Sequence, residues 1–126
     1  MNVIKFICVI VFVGFSSVLF ASSGKDIFER YCIACHAQSM APMFGSPAAY
    51  DVDAWTDRKN DIFDKAVDMN SEVANLSGGD KNNKIIELLV KSAIEGTDKG
   101  MPPMGTCMDC SDDDLKNAIE HMSAAA

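Results

Sequence analysis

Cys32-Ile33-Ala34-Cys35-His36 is the stretch that decides how the rest of the chain is read. C-x-x-C-H is the attachment signature of a c-type haem. Positions i, i+3 and i+4 share one face of a helical turn, so two thiols and an imidazole at this spacing address one porphyrin. The thiols bond to the haem vinyl groups, and the imidazole takes the proximal iron position. Two other chemistries use paired cysteines. A thioredoxin-like dithiol wants a βαβ setting, and no strand pattern occurs here. A zinc site would join this pair to Cys107 and Cys110, far beyond the usual ligand spacing.

The export signals agree with haem attachment. Met1-Asn2-Val3-Ile4-Lys5, an apolar run from Ile7 to Phe20 and Ala21-Ser22-Ser23 read as a secretory signal peptide. Cleavage after Ala21 or Ser23 removes 1–21 and leaves one domain over 24–126, destined for the periplasm. The 14-residue apolar run is shorter than the roughly 20 residues of a membrane span. Only a retained segment reaching back to Val3 would anchor the chain. Cys8 leaves with the signal. Four of the five cysteines then remain, the even number expected in an oxidising compartment.

The cleaved chain carries ten cationic and eighteen acidic side chains, a formal charge of −8. That argues against nucleic acid and anionic membrane as partners and for proteins with basic docking surfaces.

The mature chain reads as all-α. Ser23 caps a helix from Gly24, whose Ile27, Phe28 and Tyr31 form an apolar stripe leading into the haem motif. Two prolines and a glycine make Met40 to Pro47 a loop, which lays the Pro42 region against His36. Tyr50 to Trp55 reads as irregular. Asn60 or Asp61 opens a helix through Ile62, Phe63, Ala66, Val67 and Met69, and Ser77-Gly78-Gly79-Asp80 breaks the chain. A firmer helix carries Ile85, Ile86, Leu88, Leu89, Ala93 and Ile94 and stops at Gly96. Ser111 and Asp114 form a capping box, with Asp in place of Glu. Behind it Leu115, Ala118, Ile119 and Met122 make a buried stripe.

A haem held by one histidine has a sixth position to fill. Met69 and Met122 fit helix stripes and read as packing. Met101 stands in Lys99-Gly100-Met101-Pro102-Pro103-Met104-Gly105, where Pro102 drives it out of the helical region and two prolines stiffen the strap. Met104 is the runner-up. His121, as an alternative to methionine, lies one residue before a stripe member and reads as solvent-facing.

Cys32 to His36, Met101-Pro102-Pro103, Gly105 to Cys110 and Ser111 to Leu115 together resemble the bacterial class I cytochromes c of the c-five subgroup. The resemblance implies a small all-α fold around one covalent haem c, with His36 and Met101 as axial ligands and a Cys107–Cys110 disulfide. Trp55 and Arg58 match a W-x-x-R pattern of the subgroup, which implies contact with the haem propionate edge. Residues Asp61 to Asn83 exceed what compact members carry. The function implied is single-electron transfer between redox proteins, without catalysis. A haem enzyme or gas-binding module with a displaceable methionine is the alternative.

Overall fold

The computed structural model describes residues 22–126; the signal segment and Cys8 lie outside the described residues. Helices α1 (Gly24–Ile27), a π-helical turn (Phe28–Cys32) and α2 (Ile33–His36) follow without a break. Then come α3 (Ala41–Phe44), α4 (Val52–Met69), α5 (Gly78–Glu95) and α6 (Asp112–Ser123), with 3-10 turns at Ser71–Asn75 and Pro103–Thr106. No strand occurs among the described residues. None of their helices is long and apolar enough to cross a membrane.

The two ends of the domain are set by their caps. Ser23 Oγ accepts from the Asp26 N–H at 3.2 Å, which starts α1 where expected. At α6, Ser111 Oγ accepts from Asp114 N–H at 3.1 Å, and Asp114 Oδ2 accepts from Ser111 N–H at 3.0 Å. Helix α6 packs on α1 and on α5, and α4 packs on α5. The first crossing is close because of Gly24, where a Cβ would overlap the Asn117 carbonyl.

Two apolar clusters fill the interior. One gathers Phe28, Ala49, Trp55, Phe63, Ile85, Leu89, Ala93, Ile119 and Met122, with Met101 at its margin. The other gathers Ile27, Cys107, Cys110, Leu115 and Ala118, with Met104 at its margin. Cys32 and Val90 touch both. All four expected stripe residues of α6 are buried.

Several local readings need correction. Helix α4 begins at Val52 rather than near Asn60, because Asp51 Oδ1 accepts the Ala54 N–H at 3.0 Å and caps it. Ser77-Gly78-Gly79 is the start of α5 rather than a break. The Met40–Pro47 run contains α3, with Pro42 in its first turn, the one part of a helix where a missing N–H costs nothing. Met69 is not packed, being 81% exposed, since it falls in the last turn of α4, beyond Ala66, the last of that helix's buried residues. His121 does not face solvent alone: its Nε2 lies 2.8 Å from the Tyr50 hydroxyl, and Phe28 packs beside it.

Candidate haem site

The π-helical turn sits directly before the C-x-x-C-H motif, and there Ile33 N–H donates to Phe28 O, five residues back. Such wide turns often occur at functional positions in helices. This one shifts the register between the Ile27–Phe28 core stripe and the Cys32, Cys35 and His36 side chains. Nothing in the local sequence marks it.

His36 ends α2 and is buried, 8% exposed. Its Nδ1 donates to the Pro47 carbonyl at 2.8 Å, which leaves Nε2 as the nitrogen for a metal. A second ring nitrogen tied to a carbonyl is the usual arrangement for a ligating histidine. Burial holds the imidazole below its ordinary pKa, opposed in part by the Pro47 bond, so His36 stays in the neutral form that binds iron.

The next residues complete a clasp. The Ala48 carbonyl accepts from Trp55 Nε1 at 2.9 Å, and the Ala49 N–H donates to the His36 carbonyl at 2.7 Å. Trp55 is buried and stacks on His36, ring centroids 5.9 Å apart and 20° from parallel. Pro47 therefore does what was expected of Pro42, which is exposed on α3. The Trp55 N–H is engaged with Ala48, so its observed role is to brace the His36 ring. Arg58 reaches Asp61 at 3.0 Å and Ser92 at 3.1 Å, joining α4 to α5.

Cys32 and Cys35 are unpaired thiols, both partly exposed. Burial, and secondly the charge of Cys35, push the Cys32 thiol up to about 11. A dithiol catalyst needs the opposite, a thiol acidified toward or below neutrality. The sulfurs of Cys107 and Cys110 are bonded to each other, so they are not available to complete a zinc site with Cys32 and Cys35.

Met101 edges the cluster that holds Trp55, whereas Met104 edges the disulfide cluster; Cys32 touches both. Two hydrogen bonds to Thr97 hold the Met101 backbone: Thr97 N–H to Met101 O at 2.9 Å, and Met101 N–H to Thr97 Oγ1 at 3.1 Å. Thr97 was not singled out from the sequence, and Gly96 was read only as the stop of the preceding helix. The only local signal was a hydroxyl four residues before Met101, beside a helix-ending glycine. A neutral histidine with one nitrogen pinned, two unpaired thiols on the preceding turn and a strapped thioether at the same core form a donor set that fits haem c.

Comparison with known proteins agrees. The family model described as cytochrome C oxidase, cbb3-type, subunit III matches residues 20–122. A protein of Ectopseudomonas mendocina called cytochrome c5 is 36% identical over 103 residues, covering 82% of this chain and 90% of its own length. Another of that name from Azotobacter vinelandii is 35% identical over 103 residues, covering 82% and 94%.

Proposed function

This chain belongs to the class I c-type cytochromes of the cytochrome c5 subgroup, and on that premise we propose that it is a periplasmic carrier of single electrons, with His36 and Met101 as axial ligands and Cys32 and Cys35 as the attachment thiols. The haem supplies the one-electron couple of its iron. The protein's part is to hold two side chains still and keep water away. The observation that carries this reading is the pinning of His36 by Pro47 at 2.8 Å, with Trp55 stacked behind the ring. That arrangement fixes the tautomer and commits the Nε2 lone pair to one direction, as a metal ligand requires.

Met101 supports the same reading as the residue that would hold the iron together with His36. Its thioether is supplied by a strap whose backbone is tied to Thr97, so ligation does not have to restrict a mobile loop. Met/His ligation and an apolar surround raise a haem potential, and Phe28, Trp55, Phe63 and Leu89 provide such a surround. With His36 and Met101 both holding the iron there would be no open site for substrate.

The experiment is spectroscopic. The ferric protein should show the near-infrared sulfur-to-iron band, and the ferrous protein should resist carbon monoxide. Met101→Ala should abolish the band and admit carbon monoxide, whereas Met104→Ala should change neither. Rapid carbon monoxide binding by the unaltered protein, with the band absent, overturns the carrier reading in favour of a haem enzyme or gas-binding module.

A further inference from the structure

Helices α5 and α6 leave a groove between them, lined by Asn83, Ile86, Glu87, Val90, Asp112, Asp113, Lys116 and Glu120. The two apolar residues are half-buried and form its floor; the charged ones are exposed and form its rim. Four carboxylates face one cation there, and of the four only Glu87 has an ion-pair partner among the described residues, Lys84 at 2.8 Å.

The acidic run Asp112 to Asp114 divides in function at this point. Asp114 closes the capping box with Ser111. Asp112 and Asp113 make no side-chain hydrogen bond among the described residues and turn to the groove. Their charge favours the helix N-terminus, but that accounts for neither Glu87 nor Glu120 standing opposite and beyond them. The carboxylates do not converge on a point: no group of three or more potential ligands among the described residues is placed to hold a metal ion. The groove also lies open, so it does not enclose a small molecule.

An apolar floor with a negative rim is complementary to a positive segment carrying an apolar side chain. We propose that the α5–α6 groove docks a partner protein through a segment in which lysines or arginines flank one aliphatic residue. The aliphatic side chain seats on Ile86 and Val90, and the cations meet Asp112, Asp113 and Glu120. That the partner is a redox protein rests on the electron-carrier reading; the binding itself does not.

The test uses the holoprotein, isotopically labelled and fully reduced, and a synthetic peptide with four lysines around a single leucine. Amide shifts should concentrate on Ile86, Val90, Asp113 and Lys116. D112N/D113N/E120Q should weaken binding about tenfold, the order expected when several rim charges are removed together. D57N/D64N/D68N removes the same charge from exposed positions on α4 and should change binding less than about twofold by screening of distant charges. Replacing the peptide leucine by serine should weaken binding several-fold. Equal losses in the two triple variants, shifts spread over the whole surface, indifference to the leucine, or no binding would each overturn the proposal. Because none of these readouts depends on electron transfer, a failed carrier test and a failed docking test remain separate results.

Discussion

Gly96→Ala is expected to damage the Met101 strap more than any ordinary glycine substitution in this chain. Gly96 ends α5 with φ 78° and ψ 178°, a region open essentially to glycine alone and costing any other residue about 1–3 kcal/mol. An added Cβ would stand 2.8 Å from the Met101 carbonyl oxygen and 3.0 Å from the Pro103 nitrogen. Both neighbours are backbone, so relief requires the strap to move. Moving it breaks the 2.9 Å bond from Thr97 N–H to Met101 O, worth about 1 kcal/mol. The sum is about 2–4 kcal/mol of lost stability. Gly79→Ala is the control in the same helix. Its Cβ meets nothing within 4 Å, and replacing a helical glycine by alanine gains up to about 1 kcal/mol. Guanidinium unfolding followed by far-ultraviolet circular dichroism measures both, and the near-infrared band reports the strap in the folded protein. A Gly96→Ala protein as stable as its parent, with its band intact, would refute the reasoning.

Other perturbations follow from single contacts. Trp55→Phe removes the donor to Ala48 O and part of the stack on His36; it should cost about 1–3 kcal/mol by chemical denaturation, the range for a buried acceptor left unpaired. Ser111→Ala removes one half of the capping box and should cost about 0.5–2 kcal/mol, read from the unfolding midpoint. Asp61 is held below the usual carboxylate range first by its hydrogen bond from Lys65, then by the charges of Lys65, Arg58 and Lys99. A depressed folded-state pKa stabilises the protein above the ordinary carboxylate value, and that contribution disappears as pH falls through the lowered one. The melting-temperature gap between the parent and Asp61→Asn should therefore be widest near neutrality and close on acidification; a gap independent of pH would contradict this.

The features legible in the sequence were those whose cause is local. The capping box at Ser111 and Asp114, the α6 stripe, the Ser23 cap and the stop at Gly96 each depend on residues within one or two turns. The start of α4 was also local, but Asp51 was overlooked because Val52, Asp53 and Ala54 show no apolar period before Trp55. Pro42 shows the other kind of failure. Which proline carbonyl meets His36 depends on how α3 turns the chain, and the answer, Pro47, lies eleven residues from its partner with no pattern to mark it. His121 misled in the same way, since its partner Tyr50 is 71 residues distant. At the candidate site spacing nominated Cys32, Cys35 and His36 and the proline strap nominated Met101, while the groups that hold them, Pro47, Trp55 as a brace and Thr97, were visible only once the chain had folded.

Four successive residues between α3 and α4 each carry a hydrogen bond to another part of the fold. Pro47 and Ala48 offer their carbonyls to His36 and Trp55, Ala49 donates back to His36, and Tyr50 N–H reaches Met122 O at 2.7 Å. By position this is a connector, the sort of segment that usually opens on its own with little free energy. Here it cannot open without also freeing α4's indole and the far end of α6. The amide protons of Ala49 and Tyr50 should consequently resist deuterium exchange as long as the slowest helical amides do, making the linker part of the last cooperative unit to come apart.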